Sequence, residues 1–442
     1  MPSFGTDGMR GVANAELTPE LVLSLGRAAA QVLGTGPWIV GRDTRASGPM
    51  LQAALSAGLA AAGASIVDVG VLPTPGVAHA CAARGLPGAV VSASHNPFSD
   101  NGVKLFGAGG HKLADDVEAA VAAAMGSSVE GVVAGDAVGR MSVDAAAAAD
   151  AYVDHVVAAL EGRSLGGVRL VVDCANGAAS PVAGEVLRRA GADVIVLHAQ
   201  PDGTNINHGC GSTYPEALQE AVRSSGAALG LALDGDADRV VAVAEDGSIL
   251  DGDVILALCA VDLRERALLA NDTLVVTVMS NLGLRVAMAE AGVTVVETKV
   301  GDRYVLEAME AGGHALGGEQ SGHVIFGRLA TTGDGLLTGV LLADLVARRG
   351  RPLSELASSA MTRFPQVLRN VRAERSVLSA AAVKDAVATV EASLAGEGRV
   401  LLRPSGTEPL LRVMVEARTA DEAEAAVARI VAAVELAAAP DV

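Results

Sequence analysis

An α/β protein of three related mixed-sheet units followed by a small α+β unit is predicted by three observations. First, an apolar strand running into a polar turn and then a helix-compatible stretch recurs at Trp38-Ile-Val-Gly-Arg-Asp43, at Val168-Arg-Leu-Val-Val-Asp-Cys-Ala-Asn-Gly177 and at Thr273-Leu-Val-Val-Thr-Val-Met-Ser-Asn281. Continuous apolar runs that alternate with helices are the pattern of buried parallel strands. Second, the pattern changes after Thr362-Arg-Phe-Pro-Gln366. Third, 442 residues exceed what one growing core can enclose. The expected units are 1–155, 156–252, 253–365 and 366–442.

In the first unit, positions 1–12 read as a polar, Gly-rich loop without the apolar core of a signal peptide. The alanine-rich segment 53–64 reads as a buried helix, too short to span a membrane. The strand Ala89–Val91 leads to Ser94. In the second unit, Leu229–Leu233 and Val240–Val243 are apolar runs that enclose an acidic turn. The third opens on the Thr273 strand and carries a glycine-framed loop at Gly317–His323. The last has a helix at Ser379–Leu394, a strand at Gly398–Arg403, a Gly-containing turn at Pro404–Pro409, a strand at Leu410–Ala417 and a helix opened by Thr419 and Asp421.

Half of the residues are hydrophobic but only 2 % are aromatic, so Ala, Val and Leu must fill the cores. The formal charge of −18 disfavours nucleic acid and anionic membranes as partners. A small anionic ligand then needs local Arg and Lys clusters. Cys81, Cys174, Cys210 and Cys259 are widely spaced, with no metal-ligand pair, which suits buried structural thiols in a reducing, cytoplasmic setting.

Two motifs carry the chemistry. Ser94 and His95 lie in Gly88-Ala-Val-Val-Ser-Ala-Ser-His-Asn-Pro97, at the carboxyl end of a strand, where ligands of α/β sheets gather. The serine is either an activated nucleophile or an ordinary polar turn residue; a nucleophile needs a base, a metal or an electropositive pocket. Asp234, Asp236 and Asp238 alternate with Gly235 and Ala237. In an extended or gently curved loop their period of two places the carboxylates on one side. Converging carboxylates repel unless a cation neutralises them, and all-oxygen donors suit Mg²⁺. Arg239 can hold a phosphoryl oxygen or pair with an aspartate, and Lys104 can be a base, a phosphate contact or an exposed lysine. The loop Glu319, Gln320, Ser321, Gly322 and His323 offers varied polar groups to sugar hydroxyls. Arg403, Ser405, Gly406 and Thr407, with Arg412 beyond, suit a dianionic phosphate.

From Phe4-Gly-Thr-Asp-Gly-Met-Arg-Gly11 to Arg403-Pro-Ser-Gly-Thr-Glu408 these motifs resemble the alpha-D-phosphohexomutases in order and content, and Gln320 is most like the bacterial members that act on amino sugars. The resemblance implies four domains around a central cleft, the last of the TATA-binding-protein-like α+β type. It implies a phosphoserine at Ser94, Mg²⁺ on Ser94, Asp234, Asp236 and Asp238, and Arg10, His95, Lys104 and Arg239 around the phosphoserine. It further implies a substrate loop with Thr298, Gly301, Asp302 and Arg303, a sugar loop with Glu319, Gln320, Ser321 and His323, and a phosphate clamp with Arg403, Ser405, Gly406, Thr407 and Arg412. The expected reaction interconverts glucosamine 6-phosphate and glucosamine 1-phosphate through glucosamine 1,6-bisphosphate, for amino-sugar nucleotide and cell-wall precursor synthesis. Lys104 is the expected proton acceptor, which requires a depressed pKa; His95 and His323 are the alternatives. The same chemistry on glucose or mannose phosphates, or phosphosugar binding without turnover, are the competing readings. The expected partner is a small phosphorylated amino sugar, and a homodimer is the one assembly considered.

Overall fold

The computed structural model describes residues 4–5, 8–126, 133–404 and 410–438. Its contacts separate into two compact units, Met1–Met279 with Gly292–Ala360, and Ser280–Ala291 with Met361–Val442. No helix among the described residues is long and apolar enough to cross a membrane.

The first unit contains three sheets. One holds β1 (Phe4–Gly5), β2 (Gly8–Val12), β3 (Trp38–Arg42), β4 (Ile66–Val71), β5 (Gly88–Val91), β6 (Asp100–Phe106) and β7 (Met141–Val143), in the order β1-β2-β6-β5-β3-β4-β7. The next holds β8 (Arg169–Asp173), β9 (Asp193–Leu197), β10 (Leu229–Leu233), β11 (Val240–Ala244) and β12 (Ile249–Leu250), in the order β12-β11-β10-β8-β9. The third holds β13 (Thr273–Thr277), β14 (Thr294–Thr298), β15 (Leu316–Gly318) and β16 (Val324–Phe326), in the order β14-β13-β15-β16.

A common four-strand core runs through all three. The predicted strands β3, β8 and β13 each lie between two parallel neighbours. Beyond β5, β10 and β15 comes an antiparallel strand, β6, β11 or β16. The sheets are therefore mixed, as expected, and the turn that joins the last two core strands is equivalent in all three.

Small residues let helices approach one another and the sheet. The helix Pro19–Leu33 starts where Thr18 accepts a hydrogen bond from the Leu21 amide. It packs on Gly48–Ala61 through Gly26 and Gly58, where an added Cβ would stand 2.3 Å from Leu55 O and 2.1 Å from Leu23 O. Leu25, Ala29, Leu51, Leu55 and Leu59 fill that layer, all fully buried. Each such leucine contributes roughly 2 kcal/mol by leaving water.

The expectation of a loop across positions 1–12 is corrected. β1 and β2 form an antiparallel pair, and β2 continues onto β6 with Arg10 opposite Gly102. Ladder hydrogen bonds outweigh the low strand propensity of glycine here, because Gly8 has φ +85° and a Cβ there would lie 2.4 Å from Val103 O.

In the second unit, β17 (Gln366–Arg372), β18 (Arg399–Pro404) and β19 (Leu410–Glu416) form an antiparallel sheet in the order β17-β19-β18. The helices Ala381–Ser393 and Ala420–Ala438 supply Val383, Val390, Val427, Ile430 and Val434 to a core with Val371, Leu411, Val413 and Val415. Thr419 and Glu422 form a reciprocal capping box, each backbone amide donating to the other side chain at 3.2 Å. The strand β17 was not anticipated, since most of its residues are exposed or half-buried and no apolar run marks it. The helix Leu282–Glu290 also packs in this unit: Asn281 accepts from Gly283 N and donates to Phe364 O at 3.0 Å and Glu416 Oε1 at 3.2 Å.

Candidate active site

Three motifs occupy the equivalent turns. Ser94 lies between β5 and β6, Asp234, Asp236 and Asp238 between β10 and β11, and Glu319 to His323 between β15 and β16. One topological position thus delivers a hydroxyl, three carboxylates and a mixed polar loop.

Ser94 is fully buried and adopts the left-handed conformation at φ +52°. Its Oγ donates to Asp234 Oδ2 at 2.5 Å and lies 3.3 Å from His95 Nδ1. Arg239 Nη1 donates to the same His95 nitrogen at 3.2 Å. Burial, reinforced by Arg239 and Arg10, lowers His95 to about 4, so its imidazole is neutral near pH 7. Arg10 Nη1 reaches Ala93 O at 3.4 Å.

The aspartates converge as expected, through a tighter turn than an extended one. Ala237 takes φ +58°, and its amide donates to Asp234 O at 3.0 Å. One oxygen from each of Asp234, Asp236 and Asp238 lies within 4.8 Å of the others. Lys104 donates to Asp236 Oδ2 at 2.8 Å and to Asp238 Oδ2 at 3.0 Å, while Asp236 Oδ1 and Asp238 Oδ1 are buried without a hydrogen-bond partner. Burial together with the charges of Asp238 and Asp236 pushes Asp234 up to about 8. Buried, partly orphaned, all-oxygen donors under mutual repulsion fit a hard divalent cation.

Lys104 differs from the expectation placed on it. It is 1 % exposed, and although burial alone would lower its pKa, Asp236 and Asp238 outweigh burial and raise it. The lysine is a buried ammonium held by two carboxylates, rather than an amine poised by desolvation.

The third turn is tied to the same cluster. His323 Nδ1 lies 3.8 Å from Asp238 Oδ2, and its Nε2 accepts from Gly333 N at 2.9 Å and lies 3.5 Å from Asp302 Oδ2. Asp302 also pairs with Lys112. The Gly301 amide donates to Glu319 Oε1 at 3.1 Å, linking the two substrate-loop candidates. Gln320 Nε2 is buried without a partner, and Ser321 is exposed. Thr298 Oγ1 donates to Lys299 O at 2.9 Å. Arg303 joins a separate set of carboxylates: its Nη1 meets Asp115 and its Nη2 lies 2.7 Å from Glu118.

In the other unit, Arg403 stands directly opposite Arg412 across β18 and β19. Burial and the Arg412 charge both lower the Arg403 pKa. Ser405, Gly406 and Thr407 lie outside the described residues.

Sequence reasoning missed Thr74, whose Oγ1 donates to Asp236 Oδ2 at 2.7 Å and whose amide donates to Asp236 O at 2.9 Å. Its only local signal is the Pro73-Thr-Pro75 turn after β4. Lys112 was likewise missed, because its partner Asp302 is 190 residues away. Asp173, His198 and Cys210 also meet, but Asp173 is engaged by the Ala175 and Gly211 amides and by His198 Nδ1 at 2.9 Å. Burial pushes the Cys210 thiol up to about 12, consistent with a structural pin.

Family models of phosphoglucomutase/phosphomannomutase match residues 1–130 as α/β/α domain I, 150–247 as domain II, 251–364 as domain III and 368–433 as the C-terminal domain. A phosphoglucosamine mutase of Symbiobacterium thermophilum is 55 % identical over 424 residues, covering 93 % of this chain and 94 % of the relative. One from Frankia alni is 56 % identical over 449 residues, covering 98 % of each. Among solved structures, a phosphoglucomutase/phosphomannomutase family protein of Burkholderia thailandensis has a TM-score of 0.80 at 29 % identity, covering 99 % of this chain and 96 % of that one. An Aspergillus fumigatus N-acetylphosphoglucosamine mutase solved with GlcNAc-6P and magnesium shares the fold, with a TM-score of 0.73 at 20 % identity over 99 % of this chain and 95 % of that one. Four domain models in chain order, together with relatives above 50 % identity across nearly the whole length, make this chain a member of the phosphoglucomutase/phosphomannomutase family.

Proposed function

We propose that the protein interconverts glucosamine 6-phosphate and glucosamine 1-phosphate through glucosamine 1,6-bisphosphate, starting from phosphorylated Ser94. The observation that carries this reading is the 2.5 Å hydrogen bond between Ser94 Oγ and Asp234, beside two further buried aspartates. The amino sugar, rather than a neutral hexose, is supported by the phosphoglucosamine mutases among its relatives and by Gln320, whose buried Nε2 is available to a ligand.

Asp234, Asp236 and Asp238, with a phosphate oxygen on Ser94, are the proposed ligands of Mg²⁺, which when bound neutralises charge on the transferring phosphoryl group. In the first half-reaction the Ser94 Oγ–P bond breaks and an O–P bond forms to the free sugar hydroxyl, whose proton ends on the freed Ser94 Oγ. In the second, the O–P bond of the other phosphate breaks, that phosphoryl group passes to Ser94 Oγ, and the Oγ proton ends on the freed sugar oxygen. Arg239 and Arg10 supply positive charge beside Ser94, and Lys104, held as an ammonium, balances the aspartates and contacts phosphate. His95 orients Arg239 against Ser94. Thr298, Gly301, Asp302, Arg303, Glu319, Gln320, Ser321 and His323 are the proposed sugar-contacting segments. Arg403 and Arg412, with Ser405, Gly406 and Thr407, are the proposed holders of the non-reacting phosphate: two like charges directly opposite on neighbouring strands are unfavourable until an anion joins them. The cytoplasm is the proposed location, supplying amino-sugar precursors for the cell wall.

Phosphorus NMR of purified protein with glucosamine 6-phosphate and Mg²⁺ tests the reading. Appearance of glucosamine 1-phosphate supports it; no exchange even after a trace of glucosamine 1,6-bisphosphate is added to phosphorylate Ser94 refutes it.

A further inference from the structure

The reactive serine sits on a turn whose carbonyl groups are captured from behind. Arg45 is fully buried, and all three of its side-chain nitrogens donate within the protein. Its Nη2 donates to Ser94 O at 2.9 Å and Asn96 O at 2.8 Å, and its Nη1 donates to Asp100 O at 3.0 Å and to Pro97 O. Its Nε donates to Asp43 Oδ2 at 2.9 Å, and that oxygen also accepts from Ser92 Oγ at 2.7 Å. Ser92 Oγ in turn accepts from the Ser94 amide at 3.0 Å.

A second grip comes from the neighbouring α/β layer. Asn207 Nδ2 donates to the same two carbonyls, Ser94 O at 2.9 Å and Asn96 O at 3.1 Å. Gly235, between the first two aspartates, leaves no room for movement here: a Cβ on it would lie 2.5 Å from Ser94 O and 2.8 Å from Asn207 Nδ2. Thr44 Oγ1 donating to Asn176 O at 2.6 Å and Ala46 N donating to Gly203 O at 2.9 Å close the same seam.

We propose that Arg45 and Asn207 are positioning residues for phosphoryl transfer at Ser94, fixing its turn by its carbonyls so that the hydroxyl meets the aspartates in one geometry. The proposal rests on the phosphoserine reading above. A planar guanidinium fork serves four carbonyls at once, which an ammonium cannot. The turn needs this restraint because a non-glycine residue in the left-handed region relaxes when released. The mechanism needs it because phosphate leaves and returns to one Oγ, and a misplacement of about 1 Å costs about 100-fold in rate.

The test uses Arg45→Lys, which keeps the charge beside Asp43, and Asn207→Gly, which keeps the left-handed backbone at φ +58° while deleting the amide. Should Arg45→Lys fail to fold, Asn207→Gly carries the test alone. Phosphorylated enzyme is mixed with glucosamine 6-phosphate and the single-turnover transfer rate constant is read by rapid quench. The proposal expects a fall of about 10- to 100-fold in each variant, with the substrate concentration at half-maximal rate unchanged. A purely structural defect lowers the amplitude, because fewer molecules are folded, and leaves the rate constant intact. Either folded variant transferring within about twofold of the parent overturns the proposal. A parent that stays inert and takes up no phosphate on Ser94 after treatment with glucosamine 1,6-bisphosphate overturns the mutase reading itself and the proposal with it.

Discussion

Ser94 Oγ donates to Asp234 Oδ2 at 2.5 Å across 140 residues of sequence, joining the turn after β5 to the turn after β10. Both are the same turn of the repeated core, and both are fully buried. A hydroxyl beside a carboxylate that burial and two like charges push up to about 8 is stable only while a proton or a cation offsets the charge. In the proposed cycle Mg²⁺ would supply that offset, for the aspartates and for the phosphate on Ser94 alike.

Replacing Ser94 with Ala removes the proposed phosphate carrier. The expected loss of turnover is at least about a thousandfold, with secondary structure retained. Intact-mass and peptide analysis of parent protein should find phosphate at Ser94; phosphate at another serine and an active Ser94→Ala protein contradict the assignment.

Asp236→Asn takes one charge from the aspartate cluster and weakens the grip on Lys104 and Thr74. A fall of at least about tenfold in Mg²⁺ affinity is expected, with a matching drop in activity at fixed metal. Titration of chelator-treated protein with Mg²⁺ checks this, and an unchanged midpoint removes Asp236 from the ligand set.

How much of this was legible beforehand differs by the range of the interaction. The strands β3, β8 and β13 were readable because their apolar runs are local, and the convergence of the buried aspartates because their spacing and apolar flanks are local too. Arg45, Asn207, Thr74 and Lys112 were not, since each acts through partners more than 45 residues away. The first strands were missed for a related reason: Gly11 belongs to a sheet because of what β6 offers, and Gly8 because of what β1 offers, not because of their own propensity.

Arg403→Ala removes half of a like-charge pair on β18 and β19. Loss of charge-assisted hydrogen bonds worth about 1.5–3 kcal/mol predicts a rise in KM of roughly 10- to 100-fold. Steady-state kinetics measure it; an unchanged KM leaves the pair without a phosphate-binding role, as an exposed surface charge predicts.

Acid stability should depend on two stacked imidazoles. His79 and His155 lie with ring centroids 4.1 Å apart, and burial, then His155, lowers His79 to about 4 from its usual 6.5. Burial lowers His155 as well. Between pH 6.5 and about 4 the unfolded chain binds a proton that folded His79 refuses, and His155 acts in the same direction, so stability is present above pH 6.5 and falls as pH drops through that window. Urea unfolding midpoints at several pH values should show the fall, and His79→Gln with His155→Gln should flatten it; an equal slope in the double variant contradicts the assignment.

The central claim is phosphoryl exchange on an amino sugar, and a direct comparison of substrates tests it. Glucosamine, N-acetylglucosamine, glucose and mannose 6-phosphates are each supplied at equal concentration with Mg²⁺ and a trace of the matching 1,6-bisphosphate, and kcat/KM is measured for each. The account predicts the highest value for glucosamine 6-phosphate, with formation of glucosamine 1-phosphate. A large preference for glucose or mannose 6-phosphate contradicts the assigned substrate, and no turnover of any of the four contradicts the mutase itself.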